Sequence, residues 1–572
     1  MSAFSARLEG LRWRLRASRR LWSGGAHPTE SFLPPIPQQP EPMGKIDVPG
    51  PGAEIEGPLF FVRGWALFPQ SPTTNVEIRL NGEPIGRARL AHLRPDVVQN
   101  WDVPEAISSG FELAIEREVA ELPEGPAAVE VVATSVAGER QVFGPVEVVL
   151  GSPKGEAQAA AGGSAPLPPA PSPTPAPKGK AGPSVLVVTH QLSLGGAQLY
   201  LLDLLRQLTR TQDARLTVIS ALDGPVRRDV EAMGVPVHIF GFPPADDPGS
   251  YLGRLEEMTS WGRERDFDVA LLNTATIFAL PGAELAQQLG IPYVWAIHES
   301  FHPSVLWSVL PPQLRERAET AVASAEALVF EAGATRRLFE ADAGRARCLT
   351  LPYGLDFAPI DAWRASFDMG REREEAGIPA DAELVVCIGT IEPRKAQNTL
   401  AQAFDLIAAK HPRAHLAFVG GREDPDCEAL EKLIEASGAN GKRMHVIPIT
   451  PDVHSWYGMA DLLVCASDVE SLPRTVLEAM AWETPVLATN VFGLPELIDD
   501  GETGWLCEPR DLEALAQGLD RALSSSAEER ATVAKAARAL VEERHSLPKY
   551  AAQISELLKG AVDKNRANSL DE

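Results

Sequence analysis

DLLVCASDVESLPRTVLEAMAWETPVLATNVFGLPELIDDGETGWLCE, residues 461–508, is the stretch that decides the fold. It opens on a short apolar strand, Leu462 to Cys465, crosses a tight polar loop and enters an apolar helix from about Pro473. Glu470 closes the loop and Glu478 lies eight residues further on, inside the helix. Ser471 suits an N-cap, and Pro473 suits the first helical turn. The free N–H groups of that turn, near Leu472, point back at the loop, where the helix dipole favours an anion. One carboxylate therefore flanks an anion cradle, and the second sits about two helical turns deeper. The arrangement suits a nucleotide diphosphate, whose ribose and sugar hydroxyls each want a carboxylate acceptor.

Outward from this stretch, strand-like and helical runs alternate. SVLVVT, DVALLN and YVWAI, then LVVCIG, HLAFVG and PVLAT, are continuous apolar runs. Such runs suit strands buried on both faces of a parallel sheet. Two successive blocks predict an α/β architecture of two Rossmann-like domains, residues 184–357 and 358–572. Ligands are then expected in the cleft at the carboxyl ends of the strands. LPYGLDF (351–357) reads as the hinge between the domains, and SLPKYAAQISELLKG as a terminal helix that packs back across both.

Upstream, residues 152–183 hold nine prolines among small and polar residues. They read as a semi-rigid extended linker, so the segment before them is expected to move independently. Residues 45–151 read as an all-β sandwich of short strands, with a hairpin signal at Asn81-Gly82. Trp65 and Trp101 there read as core residues before sugar-stacking ones. Residues 25–44 are proline-rich and irregular. In residues 1–24, Phe4, Leu8, Leu11 and Leu15 recur at helical spacing, and six arginines oppose one acid, Glu9. That pattern suits a basic amphipathic helix lying on an anionic membrane surface, or docked on the chain's own acidic surface.

The length of 572 residues is that of a multidomain chain, and 44% hydrophobic content that of a globular one. A net charge of −25 argues against a general nucleic-acid binder. Five cysteines lie at 348, 387, 427, 465 and 507 without a C-x-x-C pair. They read as small core residues in a reducing cytosol. No apolar run reaches the ~18–20 residues that span a bilayer, and no secretory signal is expected. Zinc-ligand spacings, an Asp-x-Asp clamp in a donor context and G-x-S-x-G are missing from the sequence.

Three further motifs sit at predicted strand ends. Gly195-Gly196 follow the first strand, let the backbone turn and approach a ligand, and lead into a helix start. His298 ends the strand of PYVWAIHES and faces the predicted cleft, where it can hydrogen-bond a sugar hydroxyl. Arg394 and Lys395 follow CIGTIEP at the mouth of the second domain, and their charges suit a diphosphate leaving group.

The segment ESLPRTVLEAMA, with PVLATNVFGLPELIDDGETGWL after it, resembles the donor-site signature of the retaining GT-B glycosyltransferases of family 4. The two glutamates of that signature are separated by seven residues, as Glu470 and Glu478 are here. GGAQLYLLDLL, the strand-end histidine and GTIEPRK are similar to further family motifs, so the resemblance runs from 184 to 555. Two departures stand out. Glu299 follows the histidine where the family usually has aspartate, and Thr390 replaces an arginine that many members carry. RGWAL…RLNGEPIGRARL resembles, loosely, the β-sandwich modules appended to bacterial glycosyltransferases.

The resemblance implies a bacterial, metal-independent hexosyltransferase without a cofactor, with a UDP- or GDP-sugar as co-substrate and a glycan or lipid-linked acceptor. It implies Glu478 at the ribose, Glu470 and His298 at the donor sugar, and Lys395 and Arg394 at the diphosphate. Ser471, Leu472, Gly195 and Gly196 complete the donor site. It also implies front-face attack, with the leaving phosphate taking the acceptor's proton. Two other readings share the fold: a catalytically retired sugar-binding scaffold, and a GT-B sugar phosphorylase or epimerase. The expected place is the cytoplasm, with peripheral contact to the membrane through residues 1–24. That contact is tested by liposome co-sedimentation of the full chain beside a chain starting at residue 45. The full chain should pellet with anionic vesicles at low salt and lose binding as the Debye length shrinks. Equal pelleting of both chains rules the contact out.

Overall fold

A computed structural model describes residues 43–151 with breaks at 56–58, 69–72, 93–109, 117–121, 123 and 136. It further describes residues 182–571 with breaks at 194, 242–247, 275–278, 308–309, 311 and 451. The expected helix at 1–24, most of the 25–44 and 152–183 segments, and Trp101 lie outside the described residues.

The N-terminal domain is all-β. One sheet holds β1 (Met43–Val48), β3 (Leu59–Leu67), β7 (Gly110–Glu116) and β6 (Arg89–His92), in that order. The other holds β2 (Ala53–Ile55), β9 (Arg140–Leu150), β8 (Gly125–Ser135), β4 (Thr73–Leu80) and β5 (Glu83–Arg87). In β4 every second residue is buried, so Val76, Ile78 and Leu80 face the core while Glu77 and Arg79 stay half-buried at the rim. Asn81, at φ 52°, and Gly82, at φ 86°, turn β4 into β5, as the Asn-Gly pair predicts. Trp65 is buried. The first strand starts at Met43, so the irregular segment ends two residues before its expected limit.

Two parallel sheets follow. β10 (Ser184–Gln191), β11 (Arg215–Leu222), β12 (Val237–Ile239), β13 (Val269–Asn273), β14 (Tyr293–Ile297), β15 (Ala327–Phe330) and β16 (Arg347–Thr350) pair in the order 12-11-10-13-14-15-16. β17 (Glu383–Ile388), β18 (Ala414–Gly421), β19 (Met444–Pro448), β20 (Leu462–Cys465), β21 (Val486–Thr489) and β22 (Trp505–Cys507) pair in the order 19-18-17-20-21-22. β13, β14, β15, β20 and β21 are buried throughout, which is why they read as unbroken apolar runs. Each sheet reverses its order beside its first strand, β10 or β17, and there the crevice opens.

The hinge and the chain's last helix lock together. Leu355 N–H donates to His545 O at 2.8 Å, and Leu547 N–H donates to Leu355 O at 3.1 Å. Gly354 permits this approach, since a Cβ there would lie 2.2 Å from Leu547 N. Helix Leu547–Asp571 then crosses to the first Rossmann-like domain, where Lys559 pairs with Asp213, Lys564 with Glu326 and Arg566 with Asp268.

The β-domain does not stand apart, contrary to the expectation drawn from the linker. Its core is continuous with Leu400, Phe404, Leu515 and Leu519 on helices Gln397–Ile407 and Leu512–Ser524 of the second Rossmann-like domain. Arg87 Nη1 also lies 2.9 Å from Asp511 Oδ2, while Asp511 Oδ1 caps the second of these helices by accepting from Ala514 N–H. An extended tether sets reach. It does not stop two apolar faces from meeting, and burial at roughly 25 cal/mol per Å² favours the docked arrangement.

Candidate donor site and domain clasp

Neighbouring strands place the charges of the second domain. β17 and β20 pair in parallel, so the loops that leave their carboxyl ends lie side by side. Asp468 N–H donates to Arg394 O at 2.8 Å and joins the two loops. A short 3-10 turn, Pro393–Lys395, presents Arg394 and Lys395. Both meet one oxygen of Glu470: Lys395 Nζ in a close ion pair, and Arg394 Nη1 at 3.3 Å. Ser467 Oγ donates to the same oxygen at 2.9 Å. Arg394 is held from its other side by Glu392 at 2.6 Å.

Glu470 is 9% exposed. Burial pushes its pKa up, but the charges of Lys395 and Arg394 pull harder and hold it below the usual carboxylate range. It is an ionised, buried acceptor. The thiols beneath it take the opposite course: burial raises Cys465, and pushes Cys387 up to about 12, so both stay protonated and unreactive.

Helix Arg474–Ala481 carries Glu478, which is buried. Arg474 Nε donates to Glu478 Oε1 at 2.5 Å, one turn back along the helix, and Tyr457 OH donates to Glu478 Oε2 at 2.8 Å. The other end of Arg474 reaches the first domain. Its Nη1 lies 2.7 Å from Asp203 Oδ2 and 2.7 Å from Tyr353 OH, which itself donates to Asp203 at 3.1 Å. Asp203 belongs to helix Gly196–Thr211 and Tyr353 to the hinge. One guanidinium therefore clasps both domains and the hinge in a fork that lysine does not reproduce.

The start of this helix differs from expectation. The N-cap is Pro473, extended at φ −68° and ψ 123°, with no side-chain cap. Ser471 sits two residues too early to cap. Its hydroxyl instead lies 3.0 Å from Thr335 Oγ1, across the cleft, and Thr335 lies 2.7 Å from Ser300 Oγ. Glu496 adds a second cross-domain contact by accepting the backbone N–H groups of Gly333 and Ala334 at 2.8 and 2.7 Å. Leu472 is buried beside them.

On the first domain, Gly195 and Gly196 open helix Gly196–Thr211, as expected, but not by a glycine-only turn. Gly195 is extended at φ −159°, and neither residue has a left-handed backbone. What glycine leaves is room, since a Cβ on Gly196 would meet no atom within 4 Å. His298 follows β14, with Nδ1 2.6 Å from Glu331 Oε1 and Nε2 3.1 Å from Asn273 Oδ1. The Tyr200 ring meets the imidazole edge-on at 4.5 Å, and its hydroxyl bonds closely with that of Tyr550 on the terminal helix.

Two groups thus assemble: Glu470, Lys395 and Arg394 with Ser467, and Glu478 with Arg474, Tyr457, Asp203 and Tyr353. The sequence reading missed Arg474, Tyr457, Asp203, Tyr353, Asn273 and Glu331. Only Arg474 carried a local signal, its i,i+4 spacing to Glu478. Among the described residues, no group of three or more His, Cys, Asp or Glu side chains is gathered to hold a metal ion.

Two family models match the chain: Glycosyltransferase Family 4 over residues 194–358 and Glycosyl transferases group 1 over 368–540. A D-inositol 3-phosphate glycosyltransferase of Arthrobacter sp. is 30% identical over 248 residues, 41% of this chain and 56% of that one. A GDP-mannose-dependent alpha-(1-6)-phosphatidylinositol monomannoside mannosyltransferase of Mycolicibacterium smegmatis is 29% identical over 320 residues, 53% of this chain and 79% of that one. The solved structure of Anabaena Alr3699/HepE in complex with UDP has the same fold, with a TM-score of 0.55 and 22% identity over 66% of this chain and all of that one.

Arg474→Ala should destabilise the protein by about 3 kcal/mol, because it strands Glu478 and Asp203 in partly buried positions. Arg474→Lys should recover only part of the loss. Denaturant unfolding checks both, and an alanine variant as stable as the parent would contradict the clasp.

Proposed function

This chain belongs to the GT-B glycosyltransferases of family 4, and from that premise we propose that it transfers a sugar, with retention of configuration, from a UDP- or GDP-sugar to a glycan or lipid-linked acceptor. The observation that carries the reading is the ionised Glu470 held by Lys395 and Arg394, one loop away from Glu478. The Arthrobacter and Mycolicibacterium relatives, by their names, act on an inositol phosphate and on a phosphatidylinositol mannoside, which supports a phosphate- or lipid-bearing acceptor.

The bond from C1 to the diphosphate oxygen breaks, and positive charge grows on the ring carbon. Lys395 and Arg394 take up the negative charge on the leaving diphosphate, together with the helix start after Leu472 and Ser471. Glu478 accepts from the ribose hydroxyls. Glu470 and His298 contact the donor sugar, and Gly195 and Gly196 let the backbone approach it. The acceptor attacks from the face the diphosphate leaves, and its proton passes to the departing phosphate oxygen. The two strand-end thiols stay protonated, so neither offers a nucleophile. Among the described residues no helix is long and apolar enough to cross a membrane. We assign peripheral attachment to residues 1–24.

A panel of UDP- and GDP-sugars, followed by proton NMR of the product anomer, tests this reading. One donor should turn over, the product should keep the donor's anomeric configuration, and Lys395→Ala should lower kcat by about 10²–10³-fold. An inverted product, or full turnover in the lysine variant, would refute it.

A further inference from the structure

Strand register sets the partner of His298. β14 and β15 are parallel, with Ile297 opposite Phe330. The residues that follow, His298 and Glu331, therefore emerge side by side, and Nδ1 lies 2.6 Å from Glu331 Oε1. Both side chains are about nine-tenths buried. On the other side, Nε2 lies 3.1 Å from Asn273 Oδ1. The amide orientation of Asn273 is fixed independently, because its Nδ2 donates to Ala197 O at 3.1 Å in the first turn of helix Gly196–Thr211. The oxygen therefore faces the ring. Two acceptors bracket the imidazole, and a neutral imidazole has only one N–H to give.

The remaining neighbours agree. Glu299 lies beside the ring and accepts the backbone N–H of His298 at 3.1 Å. Tyr200 approaches edge-on, and its hydroxyl and that of Tyr550, to which it bonds, are neutral, their pKa values raised by burial. His190, near the end of β10, is the neighbour whose protonation would oppose a charge on His298, and burial, with His298 itself, lowers its pKa and favours its neutral form. Burial also works against charge on His298, but the charge and hydrogen bond of Glu331, with the charge of Glu299, outweigh it and raise its pKa.

We propose that Glu331 is a positioning residue that holds His298 as a doubly protonated imidazolium, a fixed hydrogen-bond donor instead of a base. An imidazolium has no lone pair with which to take the acceptor's proton. The proton must leave by another route, and the departing phosphate oxygen is the one the proposed reaction supplies. Nε2–H is aimed along the line that Asn273 Oδ1 marks, and a sugar hydroxyl seated there would share that hydrogen. The inference rests on the reading of His298 as a residue that touches the donor sugar.

The test uses the full chain, labelled with ¹⁵N-histidine, in three variants: Glu331→Gln, Glu331→Asp and His298→Gln. At pH 7.5 the wild-type His298 ring should show two protonated nitrogens, and the Glu331→Gln ring should have lost one. In activity, Glu331→Gln should bring the alkaline limb of the kcat profile to lower pH. At pH 8 it should lose about tenfold in kcat for each unit by which the pKa falls below 8, and should recover toward wild type near pH 6. Glu331→Asp, which keeps the charge, should retain most of the alkaline activity. A purely structural role for Glu331 predicts the same loss at every pH, and that result would overturn the proposal. A neutral His298 in the wild type at pH 7.5 would overturn it as well. A protonated His298 combined with full turnover in His298→Gln would leave the ion pair standing but overturn the placement of His298 at the donor.

Discussion

Glu470 is a carboxylate below the protein surface, and an ionised carboxylate there is tolerated only beside matching cations. That requirement organises the second domain around it. The parallel pairing of β17 with β20 brings the loop of Arg394 and Lys395 against the loop of Glu470. The backbone bond from Asp468 to Arg394 fixes their spacing, and Ser467 supplies the neutral donor. The cost of the buried acid is offset where a diphosphate would need cations, so the same two side chains serve the resting fold and the proposed reaction.

The second charged cluster does mechanical work. Arg474 joins the helix of Glu478 to Asp203 on the other domain and to Tyr353 in the hinge. Tyr353 packs on Tyr200 at 4.2 Å between ring centres, and Tyr200 in turn meets His298. A change at the helix of Glu478 is thus connected, through packed and hydrogen-bonded groups, to the histidine on the far wall of the cleft. The two walls of the candidate site are joined by one set of contacts.

Sequence made the parallel sheets legible because their strands are continuous apolar runs. It singled out Glu470, Glu478, Lys395 and His298 as candidates because each stands at a strand end or a short fixed spacing from one. The partners of these residues were hidden. Asp203 lies 271 residues from Arg474, Tyr353 lies 121 from it, and Glu331 lies 33 from His298. Such pairings depend on strand order and register, which no local pattern encodes. Ser471 differs for another reason: serine suits an N-cap and proline the first helical turn, and only the extended backbone of Pro473 moves the start to Arg474. The docking of the β-domain has no local signature, because Leu400, Phe404, Leu515 and Leu519 read as ordinary helix residues. Nothing local tells whether their apolar face meets a sheet or a neighbouring domain.

Calorimetric titration of a nucleoside, its monophosphate and its diphosphate into the wild type and Lys395→Ala tests the central claim most directly. If Lys395 and Arg394 are the diphosphate's counter-charges, affinity should rise by about tenfold or more from nucleoside to diphosphate in the wild type. Most of that gain should vanish in the variant. Equal affinities for nucleoside and diphosphate in the wild type, or a gain untouched by the loss of Lys395, would contradict the account.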